Sequence, residues 1–578
     1  MRQTHRLPDG GAWHKSGSIE TCKPSFRNGF PTPDGRRRRL TSAPMGMYDR
    51  AISRPEDGVK SDRSVVSRGR ALTCFVLALA SLVLVDVTQA SWIETVGMGS
   101  RATGLGNAFI GVADDLSANY YNPAGLTQLI GGRDMDTMLS VNVTSIRLRY
   151  QEPVFNSSSN LVPGQTVHMD DEFPEWTPTP FTPFGFEIGD RIYVVPLPIQ
   201  VPFAGAAQFS SNFGDARYSA AELGLIFINW SPSVAIRATN WLSIGLGFDL
   251  QIANDIWFKT VIGDGAVGRA SCRLLFGQPE NALCGIASTK NGVDDGYTLI
   301  TPDQELPTGL SPVNDVNLDF QTPGFRVGLM FFPDEQLRIG LTYRSSMTPD
   351  LEGRIQSVFE PGVEENPVFK LLGFAGDVER YREKLRLPQE AGIGASYRVT
   401  DQWMFAIDGV WVNWADRQND VVRVGGDGLS QTAITSGYKR LVIRRKNWKD
   451  VYSLRTGIEY RPIEPLRLDV GFWWDPSPTP DSLWDFSSDP GERYVGSGAI
   501  GYYGLFDGTL DVSAHIQWIT IQERDIQVGE SSNLGGAQEL VLPDPNGLAD
   551  PIYGPNDNFS VRSDGDIVTF GVTLVIHM

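Results

Sequence analysis

Histidine, cysteine and charge are all scarce in this chain, and a long apolar run is missing altogether. Five histidines among 578 residues leave little material for general acid–base chemistry. No G-x-S-x-G motif and no legible Ser/His/Asp arrangement accompanies them, which argues against an enzyme. "GMGSRA" (Gly97 to Ala102) mimics a dinucleotide fingerprint, but no strand precedes it and no βαβ unit follows, so no cofactor is expected. Four cysteines are too few for a disulfide-built scaffold. Charged residues make up 20% of the chain, below the usual quarter. No stretch reaches the roughly 18 to 20 apolar residues of a spanning helix.

The longest apolar run is "ALTCFVLALASLVLV", Ala71 to Val85, preceded by Arg63, Arg68 and Arg70 and followed by Thr88-Gln89-Ala90. A basic flank, an apolar core and a small-residue end read as a secretory signal peptide cut after Ala90. Residues 1–90 are therefore expected to be a leader, with 1–46 either a mis-called start, the true one being Met45 or Met47, or part of an unusually long leader. That leader holds 15 basic and 8 acidic residues, which leaves 35 basic and 60 acidic ones and a net charge near −25. So acidic a chain should not bind nucleic acid. Only Cys272 and Cys284 survive the cut, both in one loop. In an oxidising compartment that pair reads as a disulfide, and no neighbouring histidine suggests a metal.

What the chain does have, from about residue 135 onward, is alternation. In "LRIGLTYRS", Leu337, Ile339, Leu341 and Tyr343 share one face, and Arg338, Gly340, Thr342 and Arg344 the other. "LRLDVGFWW" (466–474), "TLDVSAHIQW" (509–518), "WLSIGLGFDLQI" (241–252) and the terminal "VTFGVTLVIHM" (568–578) repeat the pattern. Period two means strands with one apolar and one polar face. About fourteen such strands can be counted, joined alternately by short turns and long connections. Turns fall near Gly189-Asp190, Thr239-Asn240, Pro333 to Glu335, Thr400-Asp401, Pro462 to Glu464 and Asp507-Gly508. Long connections fall near 151–178, 208–220, 259–314, 359–382, 425–446, 475–491 and 529–559. This is the signature of an all-β, fourteen-stranded antiparallel transmembrane barrel in a cell outer membrane, with both ends on the periplasmic side. Trp241, Trp403, Trp414, Trp448, Trp473 and Trp474 near strand ends fit interfacial girdles.

A barrel that wide is not closed by its own side chains. Residues 91–134 precede the first strand, are small, apolar and irregular, and have nowhere else to be buried. They are expected to form an N-terminal hatch inside the barrel of residues 135–578. Within the hatch, Asn122-Pro123-Ala124-Gly125 stands out: proline fixes a turn, and asparagine can satisfy exposed backbone groups beside it. The third strand, "RIYVVPLPIQVPFAGAAQF", carries Pro196, Pro198 and Pro202, each without an N–H, and Gly205. A closed wall has no free edge on which to hide them, so it should open or bulge there.

The hatch segment "GLGNAFIGVADDLSANYYNPAGL" resembles that of the FadL family of outer-membrane transporters of long-chain fatty acids and other hydrophobic compounds. "LRIGLTYRSSMTPDLEG", "LRLPQEAGIGASYRVTDQW", "WKDVYSLRTGIEYRP" with "DPSPTP", and the last strand are similar to the same family. The resemblance covers nearly all of 91–578, departing in the long loop 259–314 and the terminal Met578. It implies a monomeric, energy-independent uptake channel for hydrophobic molecules. Extracellular loops would capture the ligand, which would leave sideways through a gap in the third strand. Outer-membrane lipid would surround the barrel, and the barrel assembly machinery would insert it. Arg338, Arg344 and Arg455 should face the lumen. They would hold a fatty-acid carboxylate, or pair with lumen acids such as Glu459 and Asp469; both readings stay open. Aromatic hydrocarbons, which need no cation, are the alternative substrate, and a polar diffusion porin is the alternative channel.

Overall fold

The computed structural model describes residues 93–94, 97–155, 161–208, 222–262, 296–302, 319–359, 379–424, 440–484, 491–526, 539–541 and 561–578. Fourteen strands form the wall. They are β1 (Met135–Phe155), β2 (Leu161–Thr182 and Phe184–Ile188), β3 (Ile192–Val195 and Ile199–Gln208), β4 (Glu222–Trp230 and Ser233–Arg237) and β5 (Leu242–Ile262). Next come β6 (Gly296–Pro302 and Asp319–Phe331), β7 (Leu337–Arg344 and Asp350–Phe359), β8 (Glu379–Lys384 and Glu390–Arg398), β9 (Trp403–Val412 and Asn419–Val424) and β10 (Arg440–Arg445 and Val451–Ile463). The last four are β11 (Leu466–Asp475), β12 (Arg493–Gly504), β13 (Leu510–Ile526) and β14 (Val561–His577). Each pairs antiparallel with its sequence neighbours, and β1 pairs with β14 to close the ring. Pairing β1 with β14 hides the edges of the first and last strands, which in lipid would each leave unsatisfied backbone groups costing several kcal/mol.

The outward apolar face is the one read from alternation. Ile244, Leu246 and Phe248 on β5, Phe405 and Ile407 on β9, and Phe570 and Val572 on β14 are exposed. At the periplasmic rim Trp241 stacks on Phe331 and Trp403 on Tyr460, two pieces of a girdle. Trp473 and Trp448 do not belong to it. Both are buried: Trp473 faces the lumen, and Trp448 lies under the Arg417 guanidinium. Neighbouring residues of a strand point to opposite faces, so Trp473 and Trp474 cannot share a girdle.

The first long connection is shorter than the sequence suggested. β1 and β2 run on through most of 151–178 as a hairpin, paired, with two register shifts, as far as Phe155↔Leu161. Residues 296–302 and 440–445 are likewise strand. Above the bilayer both faces of a strand meet polar surroundings, and the alternation that marks a strand in sequence fades. At the other end, Met578 exchanges backbone hydrogen bonds with Met135. His577 meets Asp136 at 2.6 Å and Asp511 at 3.0 Å, so polar contacts finish a seam that lacks a terminal aromatic residue.

Candidate functional site

The segment before β1 lies inside the ring. It has two short helices, α1 (Ser100–Gly104) and α2 (Ala118–Tyr121), and a 3-10 turn, Pro123–Leu129. Met98, Leu105, Phe109, Leu116 and Leu126 are fully buried, packed with wall residues Met138, Phe181, Tyr193 and Met330. Asn122 organises the turn. Its Oδ1 accepts from Ala124 N at 3.2 Å, and its Nδ2 donates to Ile110 O and Leu329 O at 3.1 Å each. Pro123 opens the turn, where a missing N–H costs nothing.

The plug seats on registered glycines. Gly245 faces Gly328 across β5 and β6, and Gly457 faces Gly471 across β10 and β11. A Cβ on Gly245 would stand 2.2 Å from Ala124 N, and one on Gly471 would stand 1.9 Å from Gly106 N. No side chain fits there. Gly471→Leu should therefore displace the plug and raise ion leakage through an otherwise folded barrel, measurable as conductance across a planar bilayer.

Below and beside the plug the lumen is charged. Arg101 bonds Asp114 and meets Glu459 at 2.8 Å; Arg338 meets the same Asp114 at 2.9 Å, Arg461 meets Glu459 at 2.7 Å, and Arg467 meets Asp469 at 3.4 Å. Burial disfavours an ionised Asp114, but the Arg101 and Arg338 guanidiniums outweigh it and hold the carboxyl well below the usual range. A cavity of about 240 Å³ opens here, lined among others by Asp114, Arg461, Arg467, Asp511 and His577. These charged groups share the lining with Leu116, Leu129, Met138 and Val575.

Reading the register from β10 round to β1 shows how the lumen changes with height. One row is Glu459, Asp469, Ala499, His515, Gly571 and Asn142. Two residues along it becomes Gly457, Gly471, Ser497, Gln517, Thr569 and Thr144, of which Gly457, Gly471 and Ser497 meet the plug at Leu105, Gly106 and Gly104. Two further along it is Arg455, Trp473, Val495, Ile519, Ile567 and Ile146. All six of these are buried. Lipid does not explain them, because they face inward. Just above this height the outer face is charged, with Arg149 meeting Asp564 at 2.6 Å and Asp566 at 2.9 Å. An apolar belt thus lines the lumen directly above the plug, with a guanidinium 4.9 Å from the Trp473 ring at one end.

The other end of the belt lies close to a fault in the wall. β2 is interrupted at Pro183, β3 at Pro196-Leu197-Pro198 and β4 at Ser231-Pro232. Below the fault β2 and β3 pair at Phe186↔Val194, Glu187↔Tyr193 and Ile188↔Ile192; above it only Phe181↔Gln200 and Thr182↔Ile199 remain. Beyond Gln200, no described residue of β2 pairs with β3. Phe203 and Ala204 pair instead with Glu94 and Ile93. On its other side β3 stays attached: Trp230 Nε1 donates to Pro196 O at 2.8 Å and Ser231 N to Pro198 O at 3.0 Å. Pro202 sits at a register shift, while Gly205 pairs regularly with Leu225. The breach is therefore between β2 and β3.

Sequence reasoning missed two parts of this region. Pro183 and Pro232 were visible but were not aligned with the β3 prolines until register placed them at one height. Arg326 was overlooked, although it is almost wholly buried. It bonds Asn119 O in the plug and Ser231 O beside the breach, and meets Asp249 at 3.1 Å. Of the three arginines singled out, Arg338 lies on Asp114, and Arg344 lies over Tyr120 at 4.4 Å with Glu390 at 3.5 Å. Only Arg455 reaches the apolar belt, so the three do not converge. Glu459 and Asp469 serve Arg101, Arg461 and Arg467 instead. Cys272 and Cys284 lie outside the described residues.

Comparison with known proteins agrees with this geometry. Residues 92–540 match the family model described as outer membrane protein transport protein (OMPP1/FadL/TodX). The long-chain fatty acid transport protein of Escherichia coli K12 is 25% identical over 475 residues, covering 78% of this chain and 94% of that protein. A crystal structure of a Pseudomonas aeruginosa FadL homologue superposes with a TM-score of 0.63 at 16% identity, covering 84% of this chain and 100% of that one. The toluene transporter TodX of Pseudomonas putida superposes at 0.53 with 13% identity, covering 84% and 99%.

Proposed function

The chain belongs to this family of outer-membrane transport proteins, and on that premise we propose that it is a passive uptake channel for long-chain fatty acids. The observation that carries the substrate is the lumen row from Arg455 to Ile146. Five apolar side chains in line suit an acyl chain, and a guanidinium at the end suits its carboxylate. A polar porin gains nothing from such a belt and is obstructed by the plug. An aromatic hydrocarbon would use the belt without the arginine.

In this reading residues 1–90 are a leader removed on export, 91–134 the hatch and 135–578 the wall. Loops at the long-connection end capture the ligand. It descends to the belt, since the charged floor below offers apolar surface no gain. It moves along the row to Ile146 on β1, one strand from the open seam, and leaves between β2 and β3 into the bilayer. A molecule that follows this path never exposes its chain to periplasmic water.

Arg455→Gln separates the substrates. A charge-assisted hydrogen bond contributes about 1.5–3 kcal/mol, so KM for oleate uptake should rise roughly tenfold or more, while toluene uptake is unchanged. Equal losses for both would show that Arg455 acts only on the fold. No loss for oleate would remove the carboxylate reading.

A further inference from the structure

The outer face of the wall carries a second feature that transport does not use. On the upper piece of β8, Arg382 and Lys384 point outward in alternation, and Arg386, just beyond it, continues the series; Tyr381, Glu383 and Leu385 point inward and are buried. Below the break after Leu387, the outward positions become apolar or aromatic, with Ile393 and Tyr397 exposed. Gln389, bonded to the Tyr343 hydroxyl at 2.7 Å, marks the boundary. At roughly 3.3 Å per residue, Arg386 and Lys384 stand about 10 to 17 Å along the strand above it. With the strand tilted by about 45°, that is about 7 to 12 Å above the hydrocarbon edge, at and just beyond the headgroup layer of the outer leaflet.

The neighbouring strands reinforce the patch. Arg354 is exposed on the same face of β7. Arg423 on β9 sits directly opposite Arg382. Like charges directly opposite each other destabilise a sheet unless an anion lies between them or beside them. Arg382 has Asp350 at 2.7 Å and Glu352 at 3.1 Å on its β7 side, and Arg386 has Asp416 at 3.2 Å. Among the described residues Arg423 has no carboxylate within ion-pair distance. Lys384 shares Asp350 with Arg382, at 3.8 Å. On the opposite side of the barrel Arg149 and Arg562 are each flanked by two acids, so neither lacks a carboxylate as Arg423 does. In a processed chain expected to carry a net charge near −25, five cations (Arg354, Arg382, Lys384, Arg386 and Arg423) beside three acids (Asp350, Glu352 and Asp416) among the described residues on the outer face of β7, β8 and β9 are a local excess and not a consequence of composition.

We propose that the outward face formed by Arg382, Lys384, Arg386 and Arg423 is a binding site for the phosphate groups of an outer-leaflet glycolipid. Its acyl chains would lie against the apolar band below, around Ile393 and Tyr397, while its phosphates bridge β8 and β9. Guanidinium groups match phosphate geometry in pairs, and an anion held between Arg382 and Arg423 would relieve their repulsion. Free phosphate lacks the acyl chains and would not be retained.

The test uses the full chain purified in mild detergent, with bound lipid counted by native mass spectrometry after exchange with lipid A or enzymatically dephosphorylated lipid A. The protein should retain lipid A, should not retain the dephosphorylated form, and should not lose lipid A to millimolar inorganic phosphate. In R382Q/K384Q/R386Q/R423Q, lipid A affinity should fall about a hundredfold or more, given about 1 kcal/mol for each of four cations at a lipid surface. Arg562→Gln should retain it fully. If the fourfold variant fails to fold on a heat-modifiability gel, Arg423→Gln and Lys384→Gln singly should each lower retention, and Arg423→Lys should restore part of it. Equal retention by the variants, or equal binding of the dephosphorylated lipid, overturns the site.

Discussion

A chain lacking residues 91–130, with the leader kept, inserts as a folded barrel and conducts small ions. The reason lies in where the hydrogen bonds go. Every strand of the wall pairs with strands of the wall, and the ring closes through β1 and β14 without help from the plug. Among the described residues, the deleted segment contributes two ladder positions, at Ile93 and Glu94. Its removal leaves Asp408, Glu459 and Arg326 without their plug partners. These groups then face an open lumen, where water can solvate them, so the large penalty of an unpaired buried charge does not arise. Conductance across a planar bilayer should change from closed to open, and the gel shift on heating should persist. A truncated chain that fails to insert would make the plug a folding element.

The second large effect is expected at the breach. Replacing Pro196, Pro198 and Pro202 by Val or Thr supplies three N–H donors to β3, and a continuous wall becomes the favoured state. Uptake of oleate should then fall towards background while ligand capture at the cell surface persists. The alternative path to the periplasm re-exposes the acyl chain to water, at roughly 25 cal/mol per Å² of apolar surface, or several kcal/mol for a long chain. Pro307→Ala with Pro312→Ala, in a connection between the two pieces of β6, should leave uptake unchanged. If the repaired strand transports as well as the original, the ligand passes the plug instead.

Both expectations rest on features of different legibility. The strand count, the division into short turns and long connections and the burial of the segment before β1 were readable because they depend on local pattern. Lipid on one side of a strand forces alternation, and that alternation survives in "LRIGLTYR" and "VTFGVTLVIHM" without any knowledge of neighbours. The fault in β3 was half readable. Its prolines are explicit, but Pro183 and Pro232 gain meaning only when pairing sets them at the same height. Trp473 is a different case: next to Trp474 it looks like part of a girdle, although the alternation of "LRLDVGFWW" already sets the two on opposite faces.

By itself, then, the sequence determined an all-β wall of fourteen strands, its apolar outer face and an apolar segment with no place to be buried except inside. Each of these follows from solvent acting on one strand or one segment at a time. Tertiary structure decided the contents of the lumen. Arg455, Trp473, Val495, Ile519, Ile567 and Ile146 come from six strands spread over more than four hundred positions, and they form one row only through six-strand register. "WITI" in β13 places Ile519 and Ile521 on the face opposite Trp518, a local sign that something other than lipid was being met. What it met could be identified only once the strands were paired, because lumen contacts are made across strands and not along them.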